Sequence, residues 1–262
     1  MSGIFVQGSL MSILIFIILF SFTVYYIRLG ESGTKLPKVR QISAIDGIEE
    51  GVGRALEMGL PVHYTPGIAS ELSGEFMGQT VASLSIMRHV AQLCARVGAK
   101  LLISIGGFKP EMISLVDSIV SDAYMQEDAH DKFDRGMIHY FPGDTMRQGS
   151  AGMLSREGCA CNILIGAFRS DSTWLLEPTK AMGAINIGGT ARWFMMYTFV
   201  TQCDFILIAS EIFAAAASIS NDPAMISSIA AEDIGKYVCL AIIILGVIFS
   251  LLGIPIVSLL RM

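Results

Sequence analysis

The chain has 262 residues, a formal net charge of −5 and 53% hydrophobic residues. Its acidic balance argues against nucleic acid as a partner, because that binding needs a basic surface that displaces counterions. The five cysteines are an odd number spread along the chain. This usage is unlike a disulfide framework and predicts reduced thiols.

Two long runs carry no charged side chain: residues 1–27, and residues 237–260 between Lys236 and Arg261. As a helix, the second run is about 36 Å long, and the hydrocarbon core of a bilayer is about 30 Å thick. The first run lacks the basic start of a signal peptide, which favours a retained anchor. We therefore predict transmembrane helices at residues 1–28 and 234–262, with the lipid bilayer as a partner.

Flanking charges predict the orientation of these spans. Arg28, Lys35, Lys38 and Arg40 follow the first span, and no Lys or Arg precedes it. Because positive residues collect on the cytoplasmic side, we expect a two-span protein of the cell membrane whose soluble domain faces the cytoplasm. Residues 29–42 are predicted to form a linker before this domain.

The predicted domain, residues 43–233, alternates short apolar runs with helical segments. A helix from Ser43, capped together with Asp46, is predicted to bury Ile45, Ile48, Val52 and Leu56 and to end at Gly59. Apolar strands that alternate with helices favour a parallel sheet covered on both faces, hence a Rossmann-like, doubly wound α/β fold of about six strands. The six predicted strands are residues 61–65, 101–105, 137–141, 162–166, 184–187 and 205–209.

Residues 193–220 are apolar enough to suggest a third span. Asp204 and Glu211 interrupt them, and a charge in mid-bilayer costs about 3 kcal/mol. We therefore predict a buried helix, a buried strand and a second buried helix. A further helix is expected to begin at Pro223 and to continue through Lys236 into the second span.

Ligands of an open parallel sheet bind at the carboxyl ends of its strands. Residues 188–192 either form an anion site, with glycine N–H groups and the Arg192 guanidinium, or a structural turn. No G-x-G-x-x-G or Walker A pattern accompanies them. The candidate ligand-binding residues are His63, Gly67, Gly106, Gly107, Gly188, Gly189, Arg192 and Glu211.

No set of residues in the sequence specifies a catalytic or metal centre, so catalytic residues stay unassigned and neither a cofactor nor a metal is predicted. The acidic stretch 126–135 lacks the spacing and central glycine of a calcium loop and is predicted to be a surface loop. Cys159 and Cys161 lack a second ligand pair and are predicted to pack in the core.

Three short motifs carry a family resemblance: residues 62–67, residues 160–168, and Glu211–Ala215 followed by Ala231–Asp233. Together they resemble an uncharacterised family of archaeal and bacterial membrane proteins, the DUF6754 type. The resemblance covers about residues 40–250 and departs from the family pattern at Ser210. It implies a membrane-anchored α/β domain and supplies no activity.

Two classes of function are compatible with this sequence. The first is an anchored scaffold or binding module that forms a homo-oligomer or holds a membrane-protein partner, and it does not require an enzyme. The alternative is a sensor or enzyme that binds a small anion or nucleotide in the strand-end crevice. A second alternative, a three-span transporter or channel subunit, requires residues 193–220 to lie in the membrane.

Overall fold

The computed structural model describes residues 9–32, 42–107, 111–169, 172–220 and 222–251. The chain forms two compact units. One comprises residues 40–220 and is an α/β unit; the other contains the two long helices α1 (Ser9–Glu31) and α9 (Pro223–Leu251).

Six parallel strands form one sheet in the order β3-β2-β1-β4-β5-β6. All six predicted strands are confirmed, and so is their parallel pairing. The order reverses between β1 and β4, as in doubly wound sheets. The strands are β1 (Val62–Thr65), β2 (Leu101–Gly107), β3 (Ile138–Pro142), β4 (Cys161–Ile165), β5 (Ile185–Thr190) and β6 (Phe205–Ile208).

Helices cover both faces of this sheet. Helix α3 packs against α2, α4 and α8 on one face, while α5, α6 and α7 pack in sequence on the other. Side chains of adjacent residues in β1 point to opposite faces of the sheet. Tyr64 bonds to Ser83 of α3 on one face, and His63 bonds to Asn162, which lies beneath α6, on the other. The helices are α2 (Ser43–Met58), α3 (Met77–Val97), α4 (Glu111–Gln126), α5 (Thr145–Glu157), α6 (Ser172–Ala181), α7 (Trp193–Gln202) and α8 (Glu211–Ser220).

Helix α2 lies close to the sheet because small residues form its buried face. Gly47 faces the ring of Phe205, and Gly51 faces the side chain of Cys161. Leu56, predicted to be buried, is 46% exposed.

The predicted cap of α2 was also wrong. Ile42 is the N-cap residue without a side-chain bond, and Ser43 is already helical. The predicted end at Gly59 is confirmed, with φ of 64° at that glycine.

Residues 193–220 form the predicted helix, strand and helix. Helix α8 is largely buried, but the expectation of a buried α7 was wrong, because Trp193 is 73% and Tyr197 71% exposed. Only one side of α7 faces the sheet, through Met195 and Phe199. Helix α9 begins at Pro223 and continues beyond Lys236, as predicted.

Helices α1 and α9 pack against each other and run antiparallel, since Gly30 meets Ser227 while Leu19 meets Gly235. Their outward side chains are large and apolar, among them Phe16 and Ile243. In the described part of the chain, no helix has both the length and the apolarity needed to cross a membrane. Residues 1–8 and 252–262 of the two predicted spans lie outside the described residues, and the spans stay predictions.

The close contact of α2 predicts opposite effects at two glycines of that helix. A Cβ at Gly51 would lie 2.3 Å from the Cys161 sulfur, whereas a Cβ at Gly53 meets nothing within 4 Å. Gly51→Ala should therefore lower the free energy of unfolding by about 1–3 kcal/mol through overpacking. Gly53→Ala should raise it by up to about 1 kcal/mol through helix propensity. Urea unfolding of the full chain measures both, and equal stabilisation by the two substitutions would contradict the packing described here.

Candidate functional site

The carboxyl edge of the sheet carries only some of the predicted ligand residues. Gly67 follows β1, Gly107 ends β2, Arg192 follows β5, and Glu211 follows β6. The remaining four lie inside strands, away from the connecting loops. They are His63 in β1, Gly106 in β2, and Gly188 and Gly189 in β5.

Two loops meet where the strand order reverses. The Ala167 N–H donates to the Pro66 carbonyl over 3.0 Å, and the Ala69 N–H donates to the Ala167 carbonyl over 3.1 Å. Gly67 has φ of 90° and Gly166 has φ of 145°, so both use backbone conformations that suit glycine. A Cβ on either residue would lie within 2.4 Å of the opposite loop's carbonyl oxygen, at 2.3 Å for Gly67 and 2.2 Å for Gly166. Backbone of the two loops thus occupies the position where nucleotides bind in sheets of this order.

The glycines inside the strands make room for side chains of the covering helices. At Gly188, the ring of Phe199 and the sulfur of Cys203 occupy the space of a Cβ. At Gly106, the side chain of Met146 does so. The interpretation of residues 188–192 as a turn was wrong, because β5 continues to Thr190 and leaves only Ala191 and Arg192 before α7.

Arg192 is held between two aromatic rings. Its guanidinium carbon lies 4.3 Å from the centroid of Phe76 and 4.5 Å from that of Phe194. One of its nitrogens donates to the Phe168 carbonyl over 3.2 Å. The two cation–π contacts and this hydrogen bond fix the direction of the guanidinium.

A cavity of about 260 Å³ lies beside Arg192. Gln79 lines it and accepts a bond from the Ala191 N–H over 3.3 Å, which ties the start of α7 to α3. Trp193 and Phe194 complete its aromatic wall. The cavity opens next to the exposed side of α7 and combines one fixed cation with aromatic surface.

Glu211 has a local structural contact. Its carboxylate accepts a bond from the Ile208 N–H over 3.0 Å and so bridges the sharp turn between β6 and α8. Ala209 within this turn has φ of 52°. The carboxylate also lies in the first turn of α8, where the helix dipole favours negative charge.

A chain of buried polar side chains crosses the four central strands; we call it the polar belt. It consists of Ser104 in β2, His63 in β1, Asn162 in β4, Asn186 in β5 and Thr179 in α6. The amide nitrogen of Asn162 donates to Asn186 and Thr179, over 3.0 Å in each case.

The directions of the remaining bonds in the polar belt follow from this donation. Because the Asn162 nitrogen is the donor, the Asn162 oxygen must accept the Nδ1–H of His63 over 2.7 Å. The Nε2 of His63 then carries no proton and accepts the Ser104 hydroxyl over 2.8 Å.

The order Ser104 hydroxyl, His63 imidazole, Asn162 amide is also found in catalytic sites, where the three groups are a nucleophile, its general base and a group that orients the base. Burial prevents such chemistry here, since Ser104, His63 and Asn162 are 0% exposed. Burial also lowers the pKa of His63 to about 4, despite its bond to Asn162, so the imidazole is neutral at pH 7. The polar belt therefore holds the strands in register.

The sequence contained a signal for the polar belt. One polar residue interrupts each of four apolar runs, at His63, Ser104, Asn162 and Asn186. Along a strand, every second side chain lies on the same face of the sheet. A single sequence does not give the register between strands, so it does not show which of these polar side chains meet. His63 was consequently assigned to the crevice, and Asn162 and Asn186 were not singled out.

The acidic stretch and the paired cysteines have structural contacts. Arg96 forms a bidentate pair with Glu127, and Arg135 forms one with Asp117. Cys159 is buried, and burial raises the pKa of its thiol to about 12. Over the described ranges, no three His, Cys, Asp or Glu side chains are grouped to hold a metal ion.

These features define an α/β protein built on a six-stranded, all-parallel sheet. The chain belongs to the family described as Domain of unknown function (DUF6754), whose model matches residues 2–260. No curated protein and no solved structure matches the chain. The family predicted from three short motifs is confirmed, over nearly the whole chain rather than about residues 40–250. The membrane anchoring that the resemblance implied stays a prediction.

The depressed pKa of His63 predicts a pH dependence of stability. The folded pKa is about 4 and the ordinary value is 6.5, so the unfolded chain binds the extra proton first as pH falls. The contribution of this group to stability is fully present above pH 6.5 and declines as pH falls towards 4. The loss amounts to about 3 kcal/mol.

Urea unfolding of the full chain at several pH values, compared with His63→Gln, isolates this contribution. The two free-energy curves should differ by a constant amount above pH 7 and converge below pH 6.5. Curves that stay parallel down to pH 4 would show that His63 is not neutral and buried as described.

Proposed function

We propose that this protein is a membrane-anchored binding module. Its Rossmann-like, doubly wound α/β unit serves as an oligomeric scaffold on the cytoplasmic side of the cell membrane. The observation that carries the binding role is the exposed, uncharged aromatic side of α7. The anchoring role is supported separately by the apolar surfaces of α1 and α9.

The surfaces of α1 and α9 fit a hydrocarbon environment. From Tyr237 to Leu251 the helix has no charged side chain, and Leu240, Ile243 and Val247 all point outward. A helix that is apolar on all sides is buried in protein or in lipid. The charge pattern that follows the first apolar run favours a cytoplasmic α/β unit.

Two arginines on α9 should weaken the anchor. Each costs about 3 kcal/mol at the centre of a bilayer, so Ile243→Arg with Val247→Arg should release a large part of the protein from membranes. Carbonate extraction of membranes that contain the full chain measures this. Leu56→Arg with Val81→Arg is the matched control, because both residues are exposed on the α/β unit. Full retention of the α9 variant, or equal release of the control, would contradict the proposed anchor.

Helix α7 has the composition of a binding surface. None of its ten residues is charged. Trp193, Tyr197 and Val200 are exposed at a spacing of four and three residues, so they share one side of the helix. Arg192, whose guanidinium contacts the rings of Phe76 and Phe194, directly precedes Trp193. Trp, Tyr and Arg are the residues most enriched at energetically important positions of interfaces.

The occupant we propose is a second copy of this chain. None of the residues of α7 is charged, and Arg192 precedes the helix. Helix α7 can therefore meet α7 of a second copy across a two-fold axis without like-charge repulsion. Anchoring in one bilayer would confine the copies to the same orientation and raise their effective concentration. We therefore favour a homo-oligomer over binding of a different membrane protein. The particle mass of the purified chain distinguishes these two outcomes.

A charge at the centre of this side should break the oligomer. Trp193→Glu should weaken self-association at least tenfold, since loss of such an anchor costs more than about 2 kcal/mol. Light scattering of the full chain in detergent measures the particle mass. Trp174→Glu on neighbouring α6 is the matched control, because Trp174 is 54% exposed. A wild-type particle that is monomeric, or a mass unchanged by Trp193→Glu, would contradict the proposal.

A further inference from the structure

A second cavity lies at the opposite, amino-terminal edge of the sheet, where β2 and β3 begin. Its volume is about 530 Å³, within the range of small-molecule sites. Leu101, Leu102 and Met137 provide apolar walls. None of the predicted ligand residues lines it, and it is separate from the α7 surface.

A largely buried tyrosine, Tyr124, lines this cavity. Tyr124 is 3% exposed, and its ring packs on Phe133 with centroids 6.0 Å apart. Burial, and after it the neighbouring Cys94, raises the pKa of the phenol, so the hydroxyl keeps its proton. Within the described residues that proton has no hydrogen-bond acceptor. A ligand that enters the cavity can supply the acceptor for this hydroxyl.

The charges around the cavity indicate the sign of that ligand. Lys100 is paired with Glu157 over 3.1 Å, and Asp134 accepts the Gly136 N–H over 3.0 Å. Lys132 also lines the cavity and forms no ion pair within the described parts of the chain. One ammonium and one phenolic hydroxyl thus line the same cavity as possible donors to an anionic group.

We propose that this cavity binds a small organic monocarboxylate with an apolar or aromatic body. The carboxylate accepts bonds from the Tyr124 hydroxyl and the Lys132 ammonium, and the body lies against Leu101, Leu102 and Met137. The carboxylates of Asp134 and Glu157 are close by, so a dianionic phosphate is disfavoured by repulsion. This site does not depend on the proposed function, since it involves neither α7 nor the anchors.

Benzoate is a suitable probe, with benzamide as its uncharged analogue and phenyl phosphate as its dianionic analogue. Calorimetric titration of the full chain in detergent should show saturable benzoate binding at millimolar concentration, and much weaker binding of the two analogues. Absence of saturable benzoate binding would overturn the proposal. Equal binding of benzamide would overturn the role of charge, and tighter binding of phenyl phosphate would overturn the ligand class.

Two variants test the named contacts. Tyr124→Phe keeps the ring and removes only the hydroxyl, so it should weaken benzoate binding roughly 2- to 10-fold. Lys132→Met should weaken it about tenfold or more, because the lost bond is charge-assisted. Tyr140→Phe, the same change in β3 but outside the lining of this cavity, should have no effect on benzoate binding. Unchanged affinity in both cavity variants, with unfolding midpoints equal to wild type, would overturn the site.

Discussion

The hydrogen bonds of the polar belt constrain this fold more than any other interaction. Buried polar atoms must be paired, and here three of the pairings each join one strand to the next, while Thr179 adds bonds from α6. Asn162 is central, because it receives the His63 proton on one side and donates to Asn186 on the other. A shift of one residue in any central strand would leave several of these atoms buried without a partner. Apolar packing alone tolerates such shifts more easily, so the polar belt gives the sheet a single register.

On one side of the sheet, close packing depends on small residues. Gly51 lets α2 approach Cys161. The side chains that the neighbouring strands bury there are apolar apart from the thiol and the Tyr64 hydroxyl, which bonds to Ser83. The other side carries the polar belt under α6 and accepts rings such as Phe199 into the space above Gly188. The two faces of the sheet therefore differ: glycines of α2 allow a close approach on one face, and the polar belt lies on the other.

Much of this architecture was predictable from the sequence, because apolar runs separated by helical periodicity identify buried parallel strands. All six strands and the helix–strand–helix segment at 193–220 were found in this way. The exposed side of α7 was not, since exposure depends on what else covers a helix and its composition resembles that of a core helix. Gly188 and Gly189 were mistaken for a turn because glycine also occurs where a strand must admit a neighbouring side chain. The cavity beside Tyr124 is lined by residues from four separate segments of the chain, so no local sequence pattern predicts it.

The direct bonding of the loops at Pro66 and Ala167 has a mechanical consequence. In open sheets of this order, ligands bind in a crevice at the point where the strand order reverses. Here the two loops at that point are joined by backbone hydrogen bonds, and their close approach requires Gly67 and Gly166. A conformational change in this unit is therefore expected to move its outer helices relative to the sheet, while these loops keep their positions.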